Sequence, residues 1–221
     1  MTADDLPAAF AALPAAWRHV LPGWTPDAQQ AVIEHVRAAS GGNEIAPPDP
    51  FRALRLVSPA DTQVVIFGQD PYPTAGHADG LAFSAGHGRP RSLARIFEVM
   101  AKDRPGWKAP GVWKLDGWAR QGVLLLHPTL TVEVGQAGSH LKVGWRALTS
   151  EIVEALCIRP KPPVFLLWGG KAQAFLAKEL PKGVAPRVLS TRHPSYDLHK
   201  QFMAEGSHFV ATQELVDWWS L

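Results

Sequence analysis

The chain has 221 residues, of which 46% are hydrophobic and 19% charged, enough apolar material to bury a core and too much for wholesale disorder. Lys and Arg total 22 against 20 Asp and Glu, a formal net charge of +2 without any basic block, so charge alone does not identify a partner. The single cysteine, Cys157, excludes an internal disulfide and a Cys-based zinc cluster, and no apolar run approaches the ~20 residues of a membrane helix.

In chain order, residues 1–40 read as helical, with Trp17, Val20, Val32 and Val36 among the apolar positions and Pro22 and Pro26 as interruptions. Asp4 and Asp5 stand where a secretory signal would carry positive charge, so a cytoplasmic protein that needs no membrane is expected. Gly41, Gly42 and the Pro47-Pro48-Asp49-Pro50 stretch predict an extended loop. Short apolar runs then appear at 64–67, 123–126, 164–168 and 188–189, and helix-like stretches lie between them at 92–101, 144–155 and 172–180. Continuous apolar runs alternating with helices predict strands buried on both faces of a parallel sheet. The expected fold is α/β: one three-layer α/β/α domain over residues 1–221, with a central, mostly parallel four-stranded sheet.

In such sheets the ligand crevice lies beyond the carboxyl ends of the strands. The residues at those ends are Gly68-Gln69-Asp70-Pro71-Tyr72, His127-Pro128, Gly169-Gly170-Lys171 and Thr191-Arg192-His193-Pro194-Ser195. Asp70 fits a turn or helix-cap carboxylate, and it equally fits an acid held at the crevice to orient water or face a cation. His193 precedes a proline, which favours an extended backbone and a ring offered from a loop; a surface histidine has the same signature. Gly169-Gly170-Lys171 is not a P-loop, because the spacing is wrong and Ala172 replaces the Ser or Thr. A Gly-Gly helix start still suits one phosphate, or merely a tight turn. Pairs such as His77/His87 and His193/His199 lack metal-ligand spacing, so no metal and no other cofactor is expected. Phe83, in Gly80-Leu81-Ala82-Phe83-Ser84, is placed to stack on a planar ring, and Tyr72 and Tyr196 are the chain's only tyrosines.

Gly68-Gln69-Asp70-Pro71-Tyr72 with Gly80-Leu81-Ala82-Phe83-Ser84 resembles the water-activating and base-stacking motif of the main uracil-DNA glycosylase family, and His193-Pro194-Ser195 resembles its second signature. The resemblance runs from about Ile45 to the end and includes Trp118 to Leu126, Leu130-Thr131-Val132, Ser139-His140 and Leu167-Trp168-Gly169; residues 1–44 form a divergent helical N-terminal part. It implies a metal-free enzyme that hydrolyses the bond between deoxyribose and a flipped-out uracil in DNA and leaves an abasic site without cutting the strand. Asp70 would face the sugar cation and orient the water, and neutral His193 would donate to uracil O2. Gln69, Tyr72, Phe83 and His127 would hold the base, with Tyr72 filling the space a thymine methyl needs. Ser92, Gly169 and Ser195 would grip phosphates, and Tyr196 or Leu198 would wedge into the base stack.

The sequence departs from the family pattern at several positions. Pro73 replaces a histidine, His127 an asparagine and Asp79 a histidine, while Gly170 stands where a serine is frequent. Tyr196-Asp197 replaces Pro-Leu, with Leu198 one step late. If His127 reads the base edge with an ordinary pKa of ~6.5, base preference should change between about pH 5.5 and 8. The expected reading is a monomeric uracil-DNA glycosylase acting on single- or double-stranded uracil-containing DNA. The rival is a slow or non-catalytic binder of uracil-containing or abasic DNA, since Pro73 cannot hold a water. A small-nucleotide hydrolase fits less well, because the phosphate-binding candidates sit on separate loops.

Overall fold

The computed structural model describes residues 1–221, except for the side chain of Leu198. The helices are α1 (Leu6–Ala11), α2 (Ala15–His19), α3 (Pro26–Ser40), α4 (Arg52–Leu56), α5 (Arg91–Asp103), α6 (Asp116–Arg120), α7 (Trp145–Cys157), α8 (Gly170–Glu179) and α9 (His208–Ala211). The strands are β1 (Ile45–Ala46), β2 (Val64–Phe67), β3 (Val123–Leu126), β4 (Val132–Glu133), β5 (Val164–Trp168) and β6 (Val188–Thr191). Four strands form the expected parallel sheet, in the order β3-β2-β5-β6, and β1 pairs with β4 in a separate antiparallel ladder. Every residue of β2 and β3 is at most 1% exposed, so helices cover both faces of the sheet centre. That burial explains why these strands read as unbroken apolar runs.

The N-terminal helices join the same core. Phe10 and Trp24 meet Phe51 and Trp145 with ring centroids 5.3–6.5 Å apart, and Trp17 Nε1 donates to the Val57 carbonyl at 2.8 Å. Pro26 starts α3 rather than interrupting a helix. At the first helical position its missing N–H costs nothing, and Thr25 caps the turn by accepting from Ala28 N. The last strand also runs two residues beyond the apolar pair at 188–189, because β6 is a partly exposed edge strand and keeps polar Ser190 and Thr191 in the ladder. Among the described residues no helix is long and apolar enough to cross a membrane.

One buried histidine underlies the sheet edge. His208 Nδ1 accepts from Trp168 Nε1 at 3.2 Å, and burial holds its pKa down to about 4. Between the ordinary 6.5 and that value, the unfolded chain binds a proton that the folded chain refuses, so stability falls as pH drops through this window and the loss saturates below it. Chemical denaturation at pH 7.5 and 4.5 should therefore show wild type losing roughly 2–3 kcal/mol more than His208→Gln. Equal losses in the two proteins would remove His208 as an acid-sensitive element.

Candidate functional site at the carboxyl edge of the sheet

Parallel pairing brings the strand ends level. Phe67 lies opposite both Leu126 and Leu167, and Trp168 lies opposite Thr191. The residues that follow therefore gather along one edge. A cavity of about 190 Å³ there is lined by Gln69, Asp70, Tyr72, Phe83, Ser92, His127, His193, Ser195 and Tyr196, together with Pro73. Gly169 lines an adjoining cavity of about 130 Å³ that shares Gln69, His193 and Tyr196 and adds Lys171. A larger open groove of about 790 Å³ continues from Gly169 and His193 past Arg192 and Gln201.

Asp70 is half-buried, and its Oδ2 accepts from the Gly138 N–H at 3.0 Å. Burial raises its pKa above the usual carboxylate value, while the Gly138 N–H, the charge of Lys171 and the Gln69 side chain pull it back. On the facing strand ends, His193 Nδ1 accepts from Ser195 N at 3.1 Å. That bond fixes the tautomer, since a ring nitrogen that accepts carries no proton, and it leaves Nε2–H as the ring donor in the cavity wall. Burial, then Lys171, lowers the His193 pKa and keeps the imidazole neutral near pH 7.

Phe83 is 4% exposed and has φ +67°, a left-handed backbone that costs a non-glycine residue about 1 kcal/mol or more. Its ring lies 5.1 Å from Trp168 and 5.8 Å from His193. Tyr72 holds the backbone there: its hydroxyl donates to the Phe83 carbonyl at 3.1 Å and lies 2.7 Å from Ser92 Oγ. With its own proton given to Phe83, Tyr72 accepts from Ser92. The Ser92 hydroxyl is thus committed inward, and its backbone N–H, in the first turn of α5, has no intrahelical partner. The Ser195 hydroxyl has no partner among the described residues.

His127 follows β3, and its ring lies against Gly68. A Cβ at that glycine would sit 2.5 Å from His127 Cδ2, so only glycine admits the ring. Burial lowers the His127 pKa to about 3. The pH-dependent base preference expected from its ordinary pKa is thereby corrected: the ring stays neutral from pH 5.5 to 8.

Of the two wedge candidates, Tyr196 is 76% exposed, with its ring 5.5 Å from that of His193, while the Leu198 side chain lies outside the described residues. Asp197 between them points inward. Its Oδ2 accepts from Arg95 Nε at 2.5 Å and its Oδ1 from Phe202 N at 2.6 Å, which anchors the loop to α5.

A family model described as the Uracil DNA glycosylase superfamily matches residues 55–216. The chain belongs to this superfamily. Within it, a protein named uracil-DNA glycosylase from Bordetella parapertussis is 47% identical over 196 residues, covering 86% of this chain and 76% of that protein. A relative of the same name from varicella-zoster virus is 42% identical over 193 residues, covering 86% of this chain and 62% of its own. The fold matches crystal structures of the mimivirus uracil-DNA glycosylase, with TM-score 0.74 at 24% identity over 87% of this chain and 75% of that one. It also matches the enzyme from Nitratifractor salsuginis, with TM-score 0.60 at 21% identity over 87% and 88% of the two chains.

For this superfamily member, sequence reading passed over Lys171 and Gly138. Lys171 was visible only as part of a failed P-loop, and Gly138 acts through a backbone N–H that no side chain advertises. Removing the Lys171 charge relaxes the restraint on both cavity groups, so each pKa rises. In Lys171→Met the NMR titration of His193 should move to higher pH; an unmoved midpoint would show that this charge does not reach the cavity.

Proposed function

We propose that this protein hydrolyses the bond between deoxyribose C1′ and uracil N1 in DNA, releasing uracil and leaving an abasic site. One observation carries the reading: an imidazole whose Nδ1 accepts from Ser195 N, leaving Nε2–H as donor, and a half-buried carboxylate stand in the walls of one cavity, beside an aromatic ring. Heterolysis puts positive charge on the sugar and negative charge on the departing base. Asp70 faces the first and His193 Nε2–H, donating to O2, the second; water then supplies hydroxide to C1′ and a proton to the base. O2 of the bound base is too weak a base to take a proton outright, so the neutral ring acts by hydrogen-bonding O2 as negative charge develops on the departing base.

The base enters flipped out of the duplex, stacks on Phe83, and meets the neutral His127 ring at its edge. Tyr72, fixed by Phe83 and Ser92, occupies the space a thymine methyl needs. Pro73 offers no donor, and its carbonyl accepts from Gly135 N at 2.8 Å, so water placement falls to Asp70. The Gly169 N–H is committed to the Thr191 carbonyl at 2.9 Å, so the Ser92 backbone N–H and the Ser195 hydroxyl hold phosphates, and exposed Arg192 adds the salt-dependent attraction. Tyr196, the exposed aromatic beside His193, fills the gap left by the flipped base.

The test is release of uracil from single- and double-stranded oligonucleotides carrying one uracil, read as strand breaks after alkali. Wild type should give breaks only after alkali, and Asp70→Asn and His193→Ala should each be slower by ~100-fold or more. Tyr196→Ala should lose more activity on duplex than on single strands. Wild type that binds the oligonucleotide without releasing uracil would favour the non-catalytic binder, and unimpaired Asp70→Asn would refute the mechanism.

A further inference from the structure

The turn that presents Phe83 is held from behind by charge. Asp79 Oδ1 accepts from Leu81 N at 3.1 Å and its Oδ2 from Ser84 Oγ at 2.7 Å, so one carboxylate closes the turn on both sides of Phe83. Arg52 Nη1 pairs with the same Oδ2 at 3.1 Å, and its Nη2 pairs with Asp116. Gly80, at φ +95°, lets this turn settle on α4, where a Cβ would come within 2.7 Å of Arg52 Cβ. The side chains of Arg52, Asp79 and Asp116 are only 11–22% exposed.

Two carboxylates around one guanidinium, largely out of water, form a poor device for stability alone, because desolvation offsets most of the attraction. The arrangement does specify geometry. It grips the turn at Leu81 and Ser84, while the Tyr72 hydroxyl holds the Phe83 carbonyl between them. Phe83 is thereby kept in a backbone conformation that it does not adopt unaided, with its ring facing Trp168 and His193.

We propose that Asp79 and Arg52 are positioning residues that set the angle at which Phe83 meets the bound base, and so set base affinity without touching the base. The inference rests on the stacking role of Phe83. It is tested by a double-mutant cycle that reads inhibition by free uracil, with a thermal melt of each variant to establish folding. Phe83→Ala should weaken uracil inhibition ~10-fold, the scale of one base–aromatic stack. Asp79→Asn, which keeps the shape of the side chain but removes its charge, should weaken it ~5-fold, a partial loss of the same stack. The double variant should be no weaker than Phe83→Ala, since the angle of an absent ring has no effect.

If Asp79→Asn does not fold, Arg52→Lys, which keeps the charge and loses the fork, replaces it in the cycle with the same expectation. Unchanged inhibition in folded Asp79→Asn, or losses that multiply in the double variant, would overturn the inference while leaving Phe83 as the stacking residue. Unchanged inhibition in Phe83→Ala would overturn the stacking role and the inference together.

Discussion

The level parallel pairing of β2 with β3 and β5, and of β5 with β6, is the constraint on which the site depends. In an antiparallel sheet the same residues would leave at opposite edges. Here all four strands leave at one edge, and residues far apart in sequence line one cavity. The sheet centre is buried on both faces, so it resists displacement, and loops anchored to it inherit that rigidity.

Burial does more than hold the site together. It raises the Asp70 pKa and lowers that of His193, which pushes each group toward its neutral form. The reaction proposed for the site needs a neutral His193, and the Ser195 N–H fixes which nitrogen donates. It needs an ionised Asp70, and there the Gly138 N–H and Lys171 counteract burial. One lysine thus acts in the useful sense on both groups: it favours the carboxylate and disfavours the imidazolium. Burial lowers the His127 pKa as well, to about 3, so this histidine brings no titration into the working range.

Much of this was legible in the residues. Three strands, Val64–Phe67, Val123–Leu126 and Val164–Trp168, match their apolar runs to the residue, because full burial makes each run continuous and polar or Gly-rich residues end it. The edge strand β6 extends past its run because exposure admits polar residues. Five-residue helices such as α4 and α6 are too short to show a helical period, and the β1–β4 pairing joins segments that no local pattern links. At the site, Asp70, His193 and Phe83 were visible as side chains. What supports them was hidden, because it acts through backbone N–H groups or distant ion pairs: Gly138 on Asp70, Arg95 on Asp197 and Arg52 on Asp79.

The central claim is that an ionised Asp70 and a neutral His193 act together on uracil. The most direct measurement is the pH dependence of single-turnover uracil release. In that mechanism both groups work in their deprotonated forms, so the rate should climb with a slope approaching two on the acid side and then stay level to about pH 8.5. A bell-shaped profile, with activity declining as pH rises through the ordinary histidine range, would mean that His193 works as an imidazolium and would contradict the account.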